Sequence, residues 1–155
     1  MNPEPRSAWN GDSIVAYEVV GDGPVDLVYM PGFFNNLEVV WDNLLIARFL
    51  KRLASFLRLI MIHRRGMGLS DRLSPEDLPP IEELEDDIDA VLDAVGSERA
   101  VIFGYIRLRC DPCDVRGFHP DRTAGLILCA SGLTFEDAGE HELRGVPDRW
   151  RPTGL

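Results

Sequence analysis

The chain has 155 residues, 45% hydrophobic and 27% charged, which predicts one globular domain and excludes disordered, collagen-like and low-complexity classes. Its net charge of -10 repels phosphate backbones and anionic lipid heads, so we expect neither nucleic acid nor a membrane as a partner. Segment 1–13 lacks the apolar core of a signal peptide, and no apolar run reaches the roughly 20 residues of a membrane span. We therefore expect a cytoplasmic protein.

The first half of the chain predicts two strands followed by a helix. β-Branched and aromatic residues favour a strand over 13–20, and a second strand over 25–30 ends before the Pro-Gly pair at 31–32. Between positions 41 and 57, apolar residues recur at helical spacing and predict an amphipathic helix with its basic residues in solvent. The predicted buried stripe of this helix contains Leu44, Leu45, Phe49, Leu50, Leu53 and Phe56.

The second half continues the alternation of strands and helices. A compact apolar strand over 58–63 precedes a glycine-rich loop, and a helix over 81–95 follows a Pro-Pro pair. Strands over 100–104 and 124–130 have the continuous apolar character of a parallel sheet that is covered on both faces. The alternation predicts an α/β fold with a mostly parallel sheet of about five strands, flanked by helices. We interpret the acidic side of the second helix as a solvated face; it carries Glu82, Glu83, Glu85, Asp86, Asp87, Asp89 and Asp93.

Five segments carry a resemblance to a known family: MPGF (30–33), RRGMGLSDR (64–72), DAVG (93–96), VIFG (101–104) and HPDRTAGLILCASG (119–132). Together they resemble the N-terminal half of an α/β-hydrolase, especially the esterase-like modules that occur alone or ahead of a class III adenylate cyclase domain in bacteria. The resemblance implies an incomplete α/β-hydrolase fold over 1–132. Residues 133–155 are then a polar tail at the start of a truncated cap or linker.

In that family the nucleophile lies in G-x-S-x-G, on a sharp turn between a strand and a helix. The equivalent position here is Ile106, which has no nucleophilic atom. The resemblance implies backbone oxyanion donors at Phe33 and Arg107. Catalysis would also need a later acid and histidine, and none of His63, His119 and His141 is well placed as the general base. We therefore expect an inactive relative of a serine esterase, with a small-molecule ester as the ancestral substrate and with no cofactor or metal.

The segment 106–118 (IRLRCDPCDVRGF) disagrees with the helix that the family has here, because it carries several charges and a proline. Its length nevertheless keeps the next motif in register. Back-translation with GC-rich codons, read one base later, gives SASGAIPATFAAS, which resembles a nucleophile turn and a small-residue helix. A compensated frameshift is one explanation; substitution after loss of selection is the other.

Two other functions stay open from the sequence. The chain is a candidate non-catalytic module that binds a partner or forms a homo-oligomer through an unfinished sheet edge. Cys110 and Cys113 form a C-x-x-C pair, which is a weaker candidate for a thiol or metal site because no second ligand pair follows. Ser70, in the glycine-rich loop, is interpreted as a turn-forming residue.

Overall fold

The computed structural model describes residues 3–30, 40–74, 81–105 and 119–129. These residues form a six-stranded sheet with one helix on each face. The strands are β1 (Arg6–Asn10), β2 (Ser13–Val20), β3 (Asp26–Met30), β4 (Arg58–Ile62), β5 (Ala100–Tyr105) and β6 (Thr123–Cys129). The helices are α1 (Leu44–Ala54) and α2 (Ile81–Ala94).

The sheet has the strand order β1-β2-β4-β3-β5-β6. The pairs β4-β3, β3-β5 and β5-β6 are parallel, while β1 and β2 run antiparallel to their neighbours. The predicted α/β class and the mostly parallel sheet are therefore confirmed. The predicted number of about five strands is one short, since β1 has no periodic apolar pattern of its own.

An ion pair joins the first residues of the parallel strands β3 and β4. Arg58, which begins β4, donates from Nε and Nη2 to the two carboxylate oxygens of Asp26 in β3, at 2.6 and 2.5 Å. The guanidinium lowers the pKa of Asp26. This bidentate geometry fixes the relative position of two strands that have no direct hairpin between them.

The α2 face of the sheet is a closed apolar layer. Ile88, Val91 and Leu92 of α2 are buried and belong to one cluster with side chains from five strands. Their spacing of three and four residues puts them on one side of the helix. Gly96 follows with φ of 66°, as the predicted helix end requires.

The α1 face differs from its prediction. Ala47 and Leu50 are the buried residues of α1, and Asn43 caps the helix by accepting from the amides of Leu45 and Ile46. The predicted buried stripe is wrong for four residues, because their side chains are exposed: Leu44, Leu45, Phe49 and Phe56.

The orientation of α1 follows from close backbone contact at its C-terminal end. A Cβ on Gly21 would lie 2.3 Å from the carbonyl oxygen of Ala54, and a Cβ on Gly23 would lie 2.4 Å from that of Phe56. Only glycine lets the turn after β2 approach so closely. With this end of the helix held against the turn, Ala47 and Leu50 face the sheet, while Leu44 and Leu45 point away from it.

Candidate active site

The carboxyl ends of β3 and β5 lie side by side and define the candidate site. The two strands are parallel neighbours, and Met30 at the end of β3 is in register with Gly104 in β5. Sites in open α/β sheets lie at the carboxyl ends of the strands. The segments that leave β3 and β5 therefore begin at adjacent points of one edge.

The residues singled out for catalysis lie in those two segments. Phe33 follows β3, while Ile106 and Arg107 follow β5 directly, and all three lie outside the described residues. Their roles stay predictions. The described strands establish the starting points: position 106 is the first residue after β5, whose last residue is Tyr105.

The segment that contains Phe33 is anchored at both ends. It leaves β3 at Met30, and Trp41 shortly beyond it donates from its indole Nε1 to Oε2 of Glu18, at 3.0 Å. Glu18 is buried in β2, where a carboxylate needs a hydrogen-bond donor. No sequence motif indicates this contact, because Glu18 is a single charged residue within an apolar strand.

An aromatic cluster underlies the same edge on the α1 face. The rings of Tyr29 and Phe103 meet edge to face, with centroids 5.2 Å apart. Phe49 of α1 lies 6.3 Å from each of them. Edge-to-face geometry is favourable between aromatic rings, so the end of β5 rests on a rigid apolar support.

His63 has a structural position directly after β4. The side chain is fully buried, and its Nδ1 accepts a hydrogen bond from the amide of Leu69 at 2.9 Å. Burial lowers the pKa of His63, so the imidazole is neutral with its proton on Nε2. Gly68 (φ 56°) packs on the ring: a Cβ there would lie 2.4 Å from Nδ1.

Ser70 and Asp71 attach the glycine-rich loop to β2. The hydroxyl of Ser70 donates to the carbonyl of His63 at 2.7 Å and accepts from the amide of Ala16 at 2.8 Å. The carboxylate of Asp71 accepts from the amide of Ile14 at 2.7 Å. Both hydrogen bonds of the Ser70 hydroxyl are made to backbone groups, which agrees with a turn-forming role for Ser70. The hydroxyl is therefore unsuited to attack a substrate.

A buried ion pair joins this loop to α2. Nε of Arg65 lies 2.8 Å from Oδ2 of Asp87, and both side chains are nearly inaccessible, at 9% and 2% exposure. Nδ2 of Asn10 donates to the other oxygen of Asp87, also at 2.8 Å. The interpretation of the acidic helix side as a solvated face is therefore wrong at Asp87, and also at Glu85, which is buried.

His119 and Arg122, which lie just before β6, contact α2. Nδ1 of the half-exposed His119 pairs with Oδ2 of Asp89, and that carboxylate raises the pKa of His119. Arg122 pairs with Asp93 at 2.8 Å and also donates to the carbonyl of Ser97. His119 is thus held by a surface carboxylate and does not face the carboxyl ends of β3 and β5.

Further predicted residues cannot be placed. His141, Cys110 and Cys113 lie outside the described residues. Within the ranges that the structure describes, no group of three or more His, Cys, Asp or Glu side chains could hold a metal ion. Nor does any helix in those ranges have the length and apolar character needed to cross a membrane.

Comparison with solved structures assigns the fold. The chain is similar to Est816, an N-acyl homoserine lactone degrading enzyme, with 27% identity over 79% of this chain and a TM-score of 0.58. It is similar to the esterase RhEst1 from Rhodococcus sp. ECU1013, with 28% identity over 84% of this chain and a TM-score of 0.59. Epoxide hydrolase A from Mycobacterium thermoresistibile shares the fold, with 20% identity over 81% of this chain and a TM-score of 0.61.

The strand order and these similarities show that the chain has the α/β-hydrolase fold. The chain spans 44%, 46% and 38% of the lengths of the three structures. No protein-family model matches the chain, and no curated protein matches it.

Proposed function

We propose that this chain derives from a serine hydrolase of carboxylic esters or similar acyl bonds, and that the chain as written does not form an acyl-enzyme. One observation carries the proposal. β5 ends at Tyr105 beside the end of β3, so the first residue of the segment that should present the nucleophile is isoleucine. An aliphatic side chain has no lone pair with which to attack a carbonyl carbon.

The type of ancestral substrate rests on the two solved structures above 25% identity. One is named an esterase and the other an N-acyl homoserine lactone degrading enzyme. The name esterase describes hydrolysis at an ester carbonyl, and an N-acyl homoserine lactone contains a lactone, which is a cyclic ester, beside an amide. A small-molecule ester or lactone is therefore the substrate class that we propose for the ancestor.

The proposed ancestral mechanism gives positions to the nucleophile and to the two oxyanion donors. A serine at position 106 would attack the acyl carbon, and its hydroxyl proton would pass to a general base. The developing oxyanion would accept hydrogen bonds from the backbone amides of Phe33 and Arg107. A backbone donor does not depend on its side chain, so a change of residue at 106 removes the attacking atom without removing the donors themselves.

A labelling experiment tests the inactive state. The purified chain is incubated with a fluorophosphonate probe and assayed with p-nitrophenyl acetate, with RhEst1 as the active control. We expect no stoichiometric labelling and no turnover above the buffer rate, because no side chain at 106 can be phosphonylated. Labelling at one site of the folded chain, located by peptide mass spectrometry, would overturn the proposal.

The nucleotide sequence tests the proposed origin of 106–118. A compensated frameshift predicts that the codons of this segment, read one base later, encode serine first and then small residues. Codons that cannot encode serine in that frame would leave gradual substitution as the explanation. A variant with 106–118 replaced by SASGAIPATFAAS gives the matched protein for the labelling experiment. It restores a serine at 106, but because no histidine of the chain is well placed as its general base, we expect this variant also to lack stoichiometric labelling.

A further inference from the structure

The outer face of α1 carries an apolar stripe that no other part of the described chain buries. Leu45 and Phe49 are 77% and 41% exposed, although side chains of this kind are normally buried. At about 100° per residue these two positions lie about 40° apart. Leu45 lies on the side of α1 opposite Ala47 and Leu50, while Phe49 lies about 100° from Leu50, at the border of the side that faces the sheet. Exposed apolar patches of this kind on soluble proteins mark interaction sites.

The stripe continues along the helix at regular spacing. Leu45, Phe49 and Arg52 are separated by four and three residues, which is the spacing of a seam between two packed helices. Phe56 follows just beyond the end of α1 at Ala54. All four side chains are exposed. The guanidinium carbon of Arg52 lies 5.9 Å from the centre of the Phe56 ring, so the cation and the ring share the C-terminal part of the seam.

Phe49 is already held in place before any partner binds. Its ring contacts those of Tyr29 and Phe103, while 41% of the residue stays accessible. A fixed aromatic side chain loses little conformational entropy on association, and such residues dominate the energy of interfaces. Phe49 is therefore suited to be the anchor of a contact on this face.

Charge is arranged along α1 in a self-complementary order. Exposed Asp42 precedes the helix, and exposed Arg52 lies in its last turn. The two charges therefore lie at opposite ends of α1. In an antiparallel pair of α1 helices centred on residue 47, Leu45 of each copy reaches the level of Phe49 of the other. Asp42 at the start of one helix then lies near Arg52 at the end of the other.

We propose that two copies of this chain associate through the outer faces of α1, packed antiparallel, with Leu45 against Phe49 and Asp42 beside Arg52 across a two-fold axis. The antiparallel arrangement also opposes the two helix dipoles favourably. The proposal is independent of the hydrolytic ancestry. It uses a helix face, and not the sheet edge at β6 that the sequence suggested for self-association.

The contact is small, so the dimer is reversible. One helix of 11 residues per copy buries less than the roughly 1,200 Å² of total surface at the lower limit of stable complexes. We expect a monomer–dimer equilibrium. Sedimentation velocity should show the average sedimentation coefficient rising from the monomer value as the protein concentration increases from low micromolar to nearly millimolar. A chain that stays monomeric throughout this range would overturn the proposal.

Two neighbouring leucines provide a matched pair of variants. Leu44 and Leu45 are almost equally exposed, at 79% and 77%, but they lie about 100° apart around the helix. We expect Leu45→Lys to weaken dimerisation by about tenfold or more, as for a residue at the centre of an interface, and Leu44→Lys to have little effect. Equal effects of the two changes would show nonspecific association and would overturn the proposed geometry.

Charge exchange tests the antiparallel register. Asp42→Arg places two arginines opposite each other at both ends of the dimer, and Arg52→Asp places two aspartates there, so each variant alone should dimerise weakly. An equimolar mixture restores both pairs, and we expect a heterodimer. Failure of the mixture to associate would contradict the register. Circular dichroism establishes that each variant is folded.

A lipid surface is the competing partner for an apolar face with nearby cations. Flotation with phosphatidylserine vesicles distinguishes binding to lipid from binding to a second copy of the chain. Wild-type chain that floats with the vesicles while staying monomeric in their absence would assign the α1 face to lipid and overturn the proposal. Dimerisation without flotation supports it.

Discussion

The two helices of this domain differ in which residues they bury: α2 buries a charged side chain, and α1 exposes apolar ones. On the α2 face, Asp87 is buried and its carboxylate is paired with Arg65 and Asn10. On the α1 face, Leu44 and Leu45 are exposed. The comparison shows that the buried side of a helix is decided by what the helix contacts at its ends and in its loops. The polarity of its residues alone does not decide it.

The largest expected effect comes from breaking the buried pair on the α2 face. Asp87→Ala removes the carboxylate that pairs with the buried guanidinium of Arg65 and with Asn10, and removal of one partner of such a pair costs about 3 to 5 kcal/mol. Urea denaturation of the two proteins measures the difference in the free energy of unfolding. The adjacent and exposed Asp86 gives the control: Asp86→Ala should change stability by less than about 0.5 kcal/mol. Similar values for the two variants would contradict the burial of Asp87.

The orientation of α1 predicts opposite results at two leucines five residues apart. Leu50 is completely buried, and Leu50→Ala should cost about 2 to 5 kcal/mol of unfolding free energy through lost burial and a cavity. Leu45→Ala at low protein concentration, where the chain is monomeric, should stay within about 0.5 kcal/mol of wild type. A large loss at Leu45 would mean that the predicted buried stripe is correct after all.

The packing of Gly68 on His63 predicts a moderate loss of stability. Gly68→Ala combines a left-handed φ of 56° with a Cβ placed 2.4 Å from Nδ1 of His63, so the ring or the loop must move. Gly11 has almost the same φ of 57° but nothing within 4 Å of its added Cβ. Gly11→Ala should therefore cost only the backbone strain of about 1 to 2 kcal/mol, and Gly68→Ala measurably more. Thermal denaturation compares the two, and equal losses would remove the steric explanation.

A pH dependence of stability tests the buried imidazole. Burial holds the pKa of His63 below its unfolded value of about 6.5, so the unfolded chain binds the proton more readily than the folded chain. The contribution of His63 is therefore present above about pH 6.5 and is lost as the pH falls towards the lowered pKa. His63→Asn keeps an acceptor for the amide of Leu69 and removes the titration. We expect the difference in unfolding free energy between wild type and variant to vary across this window, and a constant difference would contradict the prediction.

The smallest expected effect is a change in the pKa of His119, which pairs with Asp89 on α2. The Asp89 carboxylate raises the pKa of His119, so NMR titration of the ring protons should give a midpoint above the usual histidine value. Asp89→Asn should return the midpoint to the usual range. An unchanged midpoint in the variant would show that the pair is absent in solution.

The fold could be predicted from the sequence because its strands carry strong local signals. The strands over 58–62 and 100–105 are compact apolar runs, and each lies within one residue of its prediction. β1 (Arg6–Asn10) was missed, since Trp9 is exposed and the strand has only Ala8 in the core. Its pairing with β2 is a tertiary effect, which a local pattern does not encode.

The side-chain network around the candidate site could be predicted less well. Ser70 was interpreted correctly as a loop residue, because GLSD has the composition of a turn. The partnership of Arg65 with Asp87 joins positions 22 residues apart, and nothing in the acidic run distinguishes Asp87 from Asp86. The exposure of Leu45 was missed for a similar reason: Gly21 and Gly23 determine how α1 sits, and they lie in a distant turn.

The contacts on either side of the segment 106–118 bear on the proposed change of its sequence. β5 is held by pairing with β3, and the chain re-enters the sheet at 119–123 through His119, Arg122 and their partners on α2. None of these contacts uses a side chain from the intervening positions. The proposed rewriting of that stretch, by genetic drift or by an altered reading frame, would therefore leave these described contacts in place, because they join residues on either side of it.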